Sequence, residues 1–157
     1  MRLKILKVLY LIALLNLLFS LYNLYLGFTV DCTVNKIIIN EDVKKILIDN
    51  YSDNEYSVCL KGHIDGDLAT ITGLSKINYG NSTNVKVRPC FWFLGEIGHL
   101  HSHPPLNVSR PSVADIHNDM FMHKYGKITF SVIHYDQYKF SVHNFQDWEL
   151  HTQELMG

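Results

Sequence analysis

Twenty-three consecutive residues, Val8 to Val30, carry no charged side chain. A helix that crosses a bilayer needs roughly 20 predominantly apolar residues, so this run constrains the start of the chain more than any other feature. Asn16, Ser20 and Asn23 are its clearly polar members. Tyr22 and Tyr25 sit toward its far end, where amphipathic rings suit a membrane interface. Arg2, Lys4 and Lys7 precede it. A secretory signal is the second reading, but its apolar region usually spans only ~7–15 residues and ends at a small-residue cleavage site. Thr29, Val30 and Asp31, before Cys32, supply neither such a site nor a lipoprotein signal. The sequence therefore predicts one N-terminal transmembrane helix, with residues 1–30 as a membrane anchor or signal segment. Residues 8–30 would contact the membrane. The basic residues ahead of the run place the N-terminus in the cytoplasm and the remaining domain of a single-pass protein outside.

Residues 31–157 have the length of one compact domain. With 47% apolar and 12% aromatic residues, the chain is not of a disordered class. A net charge of −1 excludes the basic character of a general nucleic-acid binder, so no nucleic-acid partner is expected. Three cysteines do not make a disulfide scaffold. Cys59 and Cys90 could bridge if the domain faces an oxidising space, or Cys59 could simply be buried in its strand.

Local patterns predict a mixed α/β domain, one main sheet with helices packed on it. Asn40 followed by Glu41 and Asp42 reads as a helix start. Val43, Ile46 and Leu47 form the apolar face of that helix, which ends near Tyr51. Glu55 to Ile64 alternates as a strand, Asp65-Gly66-Asp67 turns, and Leu68 to Ile77 returns. Asn78 to Asn84 is a polar loop. Val85 to Leu94 and Ile97 to Ser102 read as extended, with Pro89 demoting the former to an edge or bulge. Ser112 to Tyr125 is a second helix, capped by Ser112 and stopped by Gly126. Ile128 to Tyr135 and Tyr138 to Phe145 complete the strands.

The chemistry concentrates between His99 and Asp115. His101 and His103 are two apart, so on an extended strand both imidazoles point to one face and can share a metal ion. Asp115 stands near the start of the second helix, and a Pro-rich loop can bring its carboxylate to the same point. Two histidines and an aspartate, with water in the fourth position, form a ligand set of a catalytic zinc site. Such a site also needs a base that is free of the metal. Glu96, five residues before His101, would face away from the histidines, whereas Glu55 comes from another strand. Asp119 reads as a solvated helix position. His117, His123, His134, His143 and His151 show no partner pattern.

The run His101-Ser102-His103-Pro104, seven residues, Ser112, two residues, Asp115 resembles the signature of the JAMM (MPN+) zinc metalloproteases, with every spacing matched. Glu55 followed by Leu60-Lys61-Gly62 looks like that family's upstream element. The resemblance spans roughly residues 41–145. It implies a cytidine-deaminase-like mixed sheet flanked by helices, with residues 31–157 as the hydrolase domain. It implies zinc on His101, His103 and Asp115, Glu55 as the proton carrier and Ser112 as a donor to the oxyanion. It also implies that Ser102 and Pro104 shape the loop around the metal. The reaction would be hydrolysis of an amide, in this family commonly an isopeptide bond at the C-terminus of a ubiquitin-like protein. Where members often carry an aromatic residue two positions before the first ligand histidine, this chain has His99. It can be a third imidazole near the metal, a surface residue, or a support behind the ligands. Two other functions share the fold: a catalytically silent scaffold, and a zinc amidohydrolase acting on a small-molecule or sulfur-carrier conjugate. A zinc deaminase would need a Cys-x-x-Cys pair, which the sequence lacks.

Overall fold

Strand β1 (Lys36–Ile39) and helix α2 (Glu41–Asn50) meet at Asn40, whose side chain accepts a hydrogen bond from the Asp42 N–H at 2.9 Å. That bond satisfies one of the donors a helix start leaves open. Val43 and Leu47 bury the inner face of α2, while Ile46, predicted on that face, stays 44% exposed. The computed structural model describes residues 2–27, 33–104 and 108–144. Cys32, Phe145 and the polar C-terminal stretch lie outside them.

Six further strands follow: β2 (Tyr56–Asp65), β3 (Leu68–Leu74), β4 (Asn78–Tyr79), β5 (Glu96–Ser102), β6 (Phe130–Asp136) and β7 (Lys139–Asn144). The sheet runs β1-β3-β2-β5-β6-β7, with the short β4 also paired to β2. β1–β3 and β5–β6 are parallel and the other pairs antiparallel, so the sheet is mixed, as the sequence predicts. Helix α3 (Val113–Phe121) lies in the connection between β5 and β6, the kind of crossover that parallel neighbours require. Gly66, with φ 60°, makes the β2–β3 turn.

Local chemistry shifts several boundaries. Residues 85–91 do not form the predicted strand; Pro89 removes a donor, and a 3-10 turn follows at Trp92–Leu94. The α-helical part of α3 stops at Phe121 and becomes a π turn over Met122–Gly126. A Cβ on Gly126 would lie 1.9 Å from the Cys90 carbonyl oxygen, so glycine is needed where these two backbones touch.

The sheet has two different faces. On one, Tyr56, Val58, Leu60, Leu100, Phe130 and Val132 pack with Val43 and Leu47 of α2. On the other, Cys59, Cys90, Met122 and Ile128 form a smaller apolar cluster near buried His99 and His101. Cys59 and Cys90 are disulfide-bonded, which ties residues 85–91 to β2.

Helix α1 (Arg2–Gly27) does form, but no helix among the described residues is long and apolar enough to cross a membrane. Its described side chains run continuously only over residues 10–22, and all are exposed. The predicted transmembrane helix and the single-pass localisation with its orientation are corrected accordingly.

The first core face holds a buried imidazole. His134 Nδ1 meets the Tyr56 hydroxyl at 2.6 Å, Phe140 stacks on the ring at 4.2 Å between centroids, and Tyr51 lies 4.5 Å away. Burial lowers the His134 pKa to about 4, against opposing contributions from the Gln137 and Asp136 backbone and the Asp136 charge. An unfolded histidine titrates near ~6.5, so the unfolded chain binds the extra proton first. The stabilisation is complete above that value and is lost as pH falls toward about 4. Urea unfolding of wild type and His134→Gln at a series of pH values should show a stability gap that narrows on acidification through this window. A gap independent of pH would contradict this assignment.

The disulfide closes a loop across a sequence separation of 31. Chain entropy for such a loop corresponds to about 3–4 kcal/mol. The Cys59→Ala, Cys90→Ala double variant should lose stability of that order in denaturant melts. An unchanged melt would show that the bridge adds nothing.

Candidate metal centre

β5 lies inside the sheet between β2 and β6, so His101 is held on both sides and is only 2% exposed. The His103 N–H donates to the His134 carbonyl at 2.9 Å, which continues the β5–β6 pairing one residue past the strand. That continuation keeps His101 and His103 on the same side of the backbone. The third group comes from the start of α3. Ser112 caps the helix: its Oγ accepts from the Asp115 N–H at 3.2 Å, and Asp115 Oδ2 accepts from the Ser112 N–H at 2.8 Å. This reciprocal box fixes the carboxylate in the first turn.

The three side chains converge. His101 Nε2 lies 3.0 Å from His103 Nε2 and 3.4 Å from Asp115 Oδ2, and His103 Nε2 lies 3.2 Å from the same oxygen. Ligands held 2.0–2.1 Å from a tetrahedral zinc stand about 3.3–3.4 Å apart. The observed triangle therefore has close to the edges of a three-ligand face of such a site, and these residues could hold a metal ion. His103 Nδ1 lies 3.1 Å from the Val108 carbonyl, a bond that places the ring proton on Nδ1 and leaves Nε2 as the ligand atom.

The charges are balanced against burial. Burial pushes the Asp115 carboxyl up, but bonds from His101, His103 and Ser112 outweigh it and hold the group well below the usual carboxylate range. Burial likewise lowers His101, yet its bond to Asp115 and the nearby carboxylates leave it net raised. Glu55 stands at the head of β2, fixed by its N–H to the Asn81 carbonyl and its own carbonyl to the Gly80 N–H, both at 2.8 Å. Burial raises its pKa, while His103 and His101 pull it down less strongly. A carboxylate shifted in that direction is better matched to proton transfer near neutral pH.

Glu55, His103, Ser112 and Asp115 all line one cleft of about 390 Å³. Its walls are the Ser82–Val87 segment on one side and Val108 to Asn118 on the other. His101 is not among the lining residues and forms the buried end of the ligand set. Pro104 also lines the cleft, whereas Ser102 does not: its Oγ accepts from the Tyr56 N–H at 2.9 Å, joining β5 to the start of β2. Ser112 Oγ lies 2.6 Å from Asp115 Oδ2, so its hydroxyl is directed at the ligand carboxylate.

Other residues take places that differ from their sequence reading. Asp119, read as solvated, is fully buried and bonds His99 Nδ1 at 3.1 Å. It sits one helical turn after Asp115, on the same inner face. His99 stacks on His101 with centroids 5.5 Å apart and supports the ligand from behind. Glu96 does not face away from the histidines. A register shift between Leu60 and Lys61 puts it beside the disulfide, within 4.8 Å of both sulfurs. It is engaged by the Arg88 guanidinium and the Phe91 N–H. His143 Nε2 and Ser141 Oγ reach the Ser109 carbonyl at 3.0 and 2.7 Å, tethering the far end of the metal loop to β7. None of these long-range partners leaves a spacing signal in the sequence.

The chain matches no family model and no curated protein.

Because a ligand histidine must be deprotonated to bind a metal, the raised His101 pKa makes protons strong competitors. Apparent zinc affinity measured from pH 5.5 to 8.5 should climb by up to about tenfold per unit before levelling. An affinity that does not change with pH would exclude the histidines as ligands.

Proposed function

We propose that this protein is a zinc-dependent metallopeptidase of the JAMM type that hydrolyses an amide bond. The observation that carries the reading is the convergence of His101, His103 and Asp115 within 3.0–3.4 Å at the end of a cleft that also holds Glu55. The match of the His-Ser-His-Pro, Ser and Asp spacing to the JAMM signature supports it independently.

When bound, zinc supplies a Lewis acid that polarises a carbonyl and brings the pKa of a coordinated water toward ~7. His103 stays in one tautomer through Val108. Asp115 stays anionic under the N–H and hydroxyl of Ser112. Glu55 takes the proton from the attacking water as the carbon–oxygen bond forms, and delivers it to the nitrogen as the carbon–nitrogen bond breaks. The products are a carboxylic acid and an amine. Ser112 first serves as the cap of α3 and as a donor to Asp115; turning its hydroxyl into the cleft would let it serve the oxyanion as well.

The substrate follows the resemblance: an isopeptide or peptide bond at the C-terminus of a ubiquitin-like protein. A small amide conjugate is the second reading, and the cleft volume of about 390 Å³ favours it, being near the low end of small-ligand sites (~300–1,000 Å³). A silent scaffold would not need both the ligand triangle and a carboxylate held opposite it.

Metal content by mass spectrometry tests the reading, with wild type beside His103→Ala. One zinc per chain that is lost in the variant is the expected result. Glu55→Gln should keep the zinc and lose on the order of 10²–10⁴-fold in hydrolysis of a ubiquitin-like fusion or a simple amide. Absence of zinc from the wild-type protein would overturn the proposal.

A further inference from the structure

The cleft contains one cation. Arg110 lines it together with Glu55 and Asp115, and the other lining side chains are neutral apart from His103. Arg110 has no carboxylate partner among the described residues, whereas Arg88 is engaged by Glu96. Its backbone is set on both sides. The preceding Ser109 carbonyl is held by Ser141 and His143, and Pro111 then leads into the capped Ser112. Arg110 is thus an exposed, unneutralised guanidinium on a tethered backbone, two residues from a group that touches the metal ligand Asp115.

Charge counting shows what it is for. A zinc dication with two neutral imidazoles and Asp115 carries a net charge of +1, and Glu55 cancels it. Arg110 is then surplus positive charge in a cleft whose walls are otherwise neutral. A guanidinium presents its donors as a planar fork that matches a carboxylate.

Resting on the hydrolase reading above, we infer that Arg110 recognises a carboxylate beside the scissile amide, and that the preferred substrate has a free C-terminal amino acid as its leaving amine. The acyl side adds only the amide carbonyl to this contact, so the inference concerns the leaving side alone. The amide carbon–nitrogen bond breaks as before. The carboxylate on the leaving side is not consumed, so no further reactant is needed. Residues Ser82 to Val85 on the opposite wall, fixed by the Asn81 side chain to the Thr83 and Asn84 N–H groups at 3.0 and 2.9 Å, would enclose the other flank.

The test separates this inference from the hydrolase reading. N-acetyl-alanyl-alanine and its C-terminal amide are titrated calorimetrically into the zinc-loaded full chain carrying Glu55→Gln, so that neither is consumed. The acid should bind on the order of 10–100-fold tighter than the amide. Adding Arg110→Ala should bring the acid to the affinity of the amide, and Arg110→Lys should restore part of the difference. Equal binding of acid and amide, or a preference that survives Arg110→Ala in a protein with full zinc content, overturns the inference. If the acid preference depends on Arg110 but the zinc-loaded wild type hydrolyses neither compound, the anion site stands and the hydrolase reading falls.

Discussion

Asp115 links the end of a central strand to the start of a helix, and the geometry of the site depends on that link. The carboxylate caps α3 through the Ser112 N–H and at the same time faces two imidazoles carried by β5. Either task alone could be done by a flexible side chain. Both together require the helix start to sit at a fixed distance from the strand end. The sheet supplies that distance because β5 is flanked on both sides, and the backbone pairing of His103 with His134 extends the order beyond the strand. Side chains placed by this strand end and helix start are therefore as rigid as the sheet behind them, which is what a preorganised site needs.

Behind the ligands lies a buried polar layer. His99 and Asp119 pair beneath α3, and His99 stacks on His101. Ser57 and Ser131 occupy register positions opposite His101 and His99 on the neighbouring strands. Polar groups in such a place are costly unless partnered, and a chain selected only for stability would fill the space with aliphatic side chains. The opposite face of the sheet does so, with Val58, Leu100 and Val132. The asymmetry puts the larger apolar core on the α2 face and the buried polar groups on the α3 face.

How much of this was legible beforehand depends on range. The caps at Asn40 and Ser112, the turn at Gly66 and the alternating strands are local, and they read correctly because each is set by neighbours a few residues away. The convergence of His101, His103 and Asp115 was legible because their spacing, two residues and then twelve, is a one-dimensional trace of a three-dimensional contact. Asp119 was misread as solvated because nothing in its own helix indicates His99, twenty residues earlier. Glu96 was set aside as the base on a strand-parity argument, and that argument fails at a register shift that sequence periodicity does not reveal. The uncharged run at the start shows the converse error. Composition alone indicated a span, while among the described residues no helix is long and apolar enough to make one.

The central claim is that His101, His103 and Asp115 bind zinc as a unit. X-ray absorption at the zinc edge of the purified, zinc-loaded chain tests this directly. The account predicts two imidazole nitrogens and one or two oxygens at about 2.0–2.1 Å with no sulfur, and loss of one imidazole contribution in His103→Ala. A sulfur shell, or a spectrum unchanged by His103→Ala, would place the metal elsewhere and contradict the account.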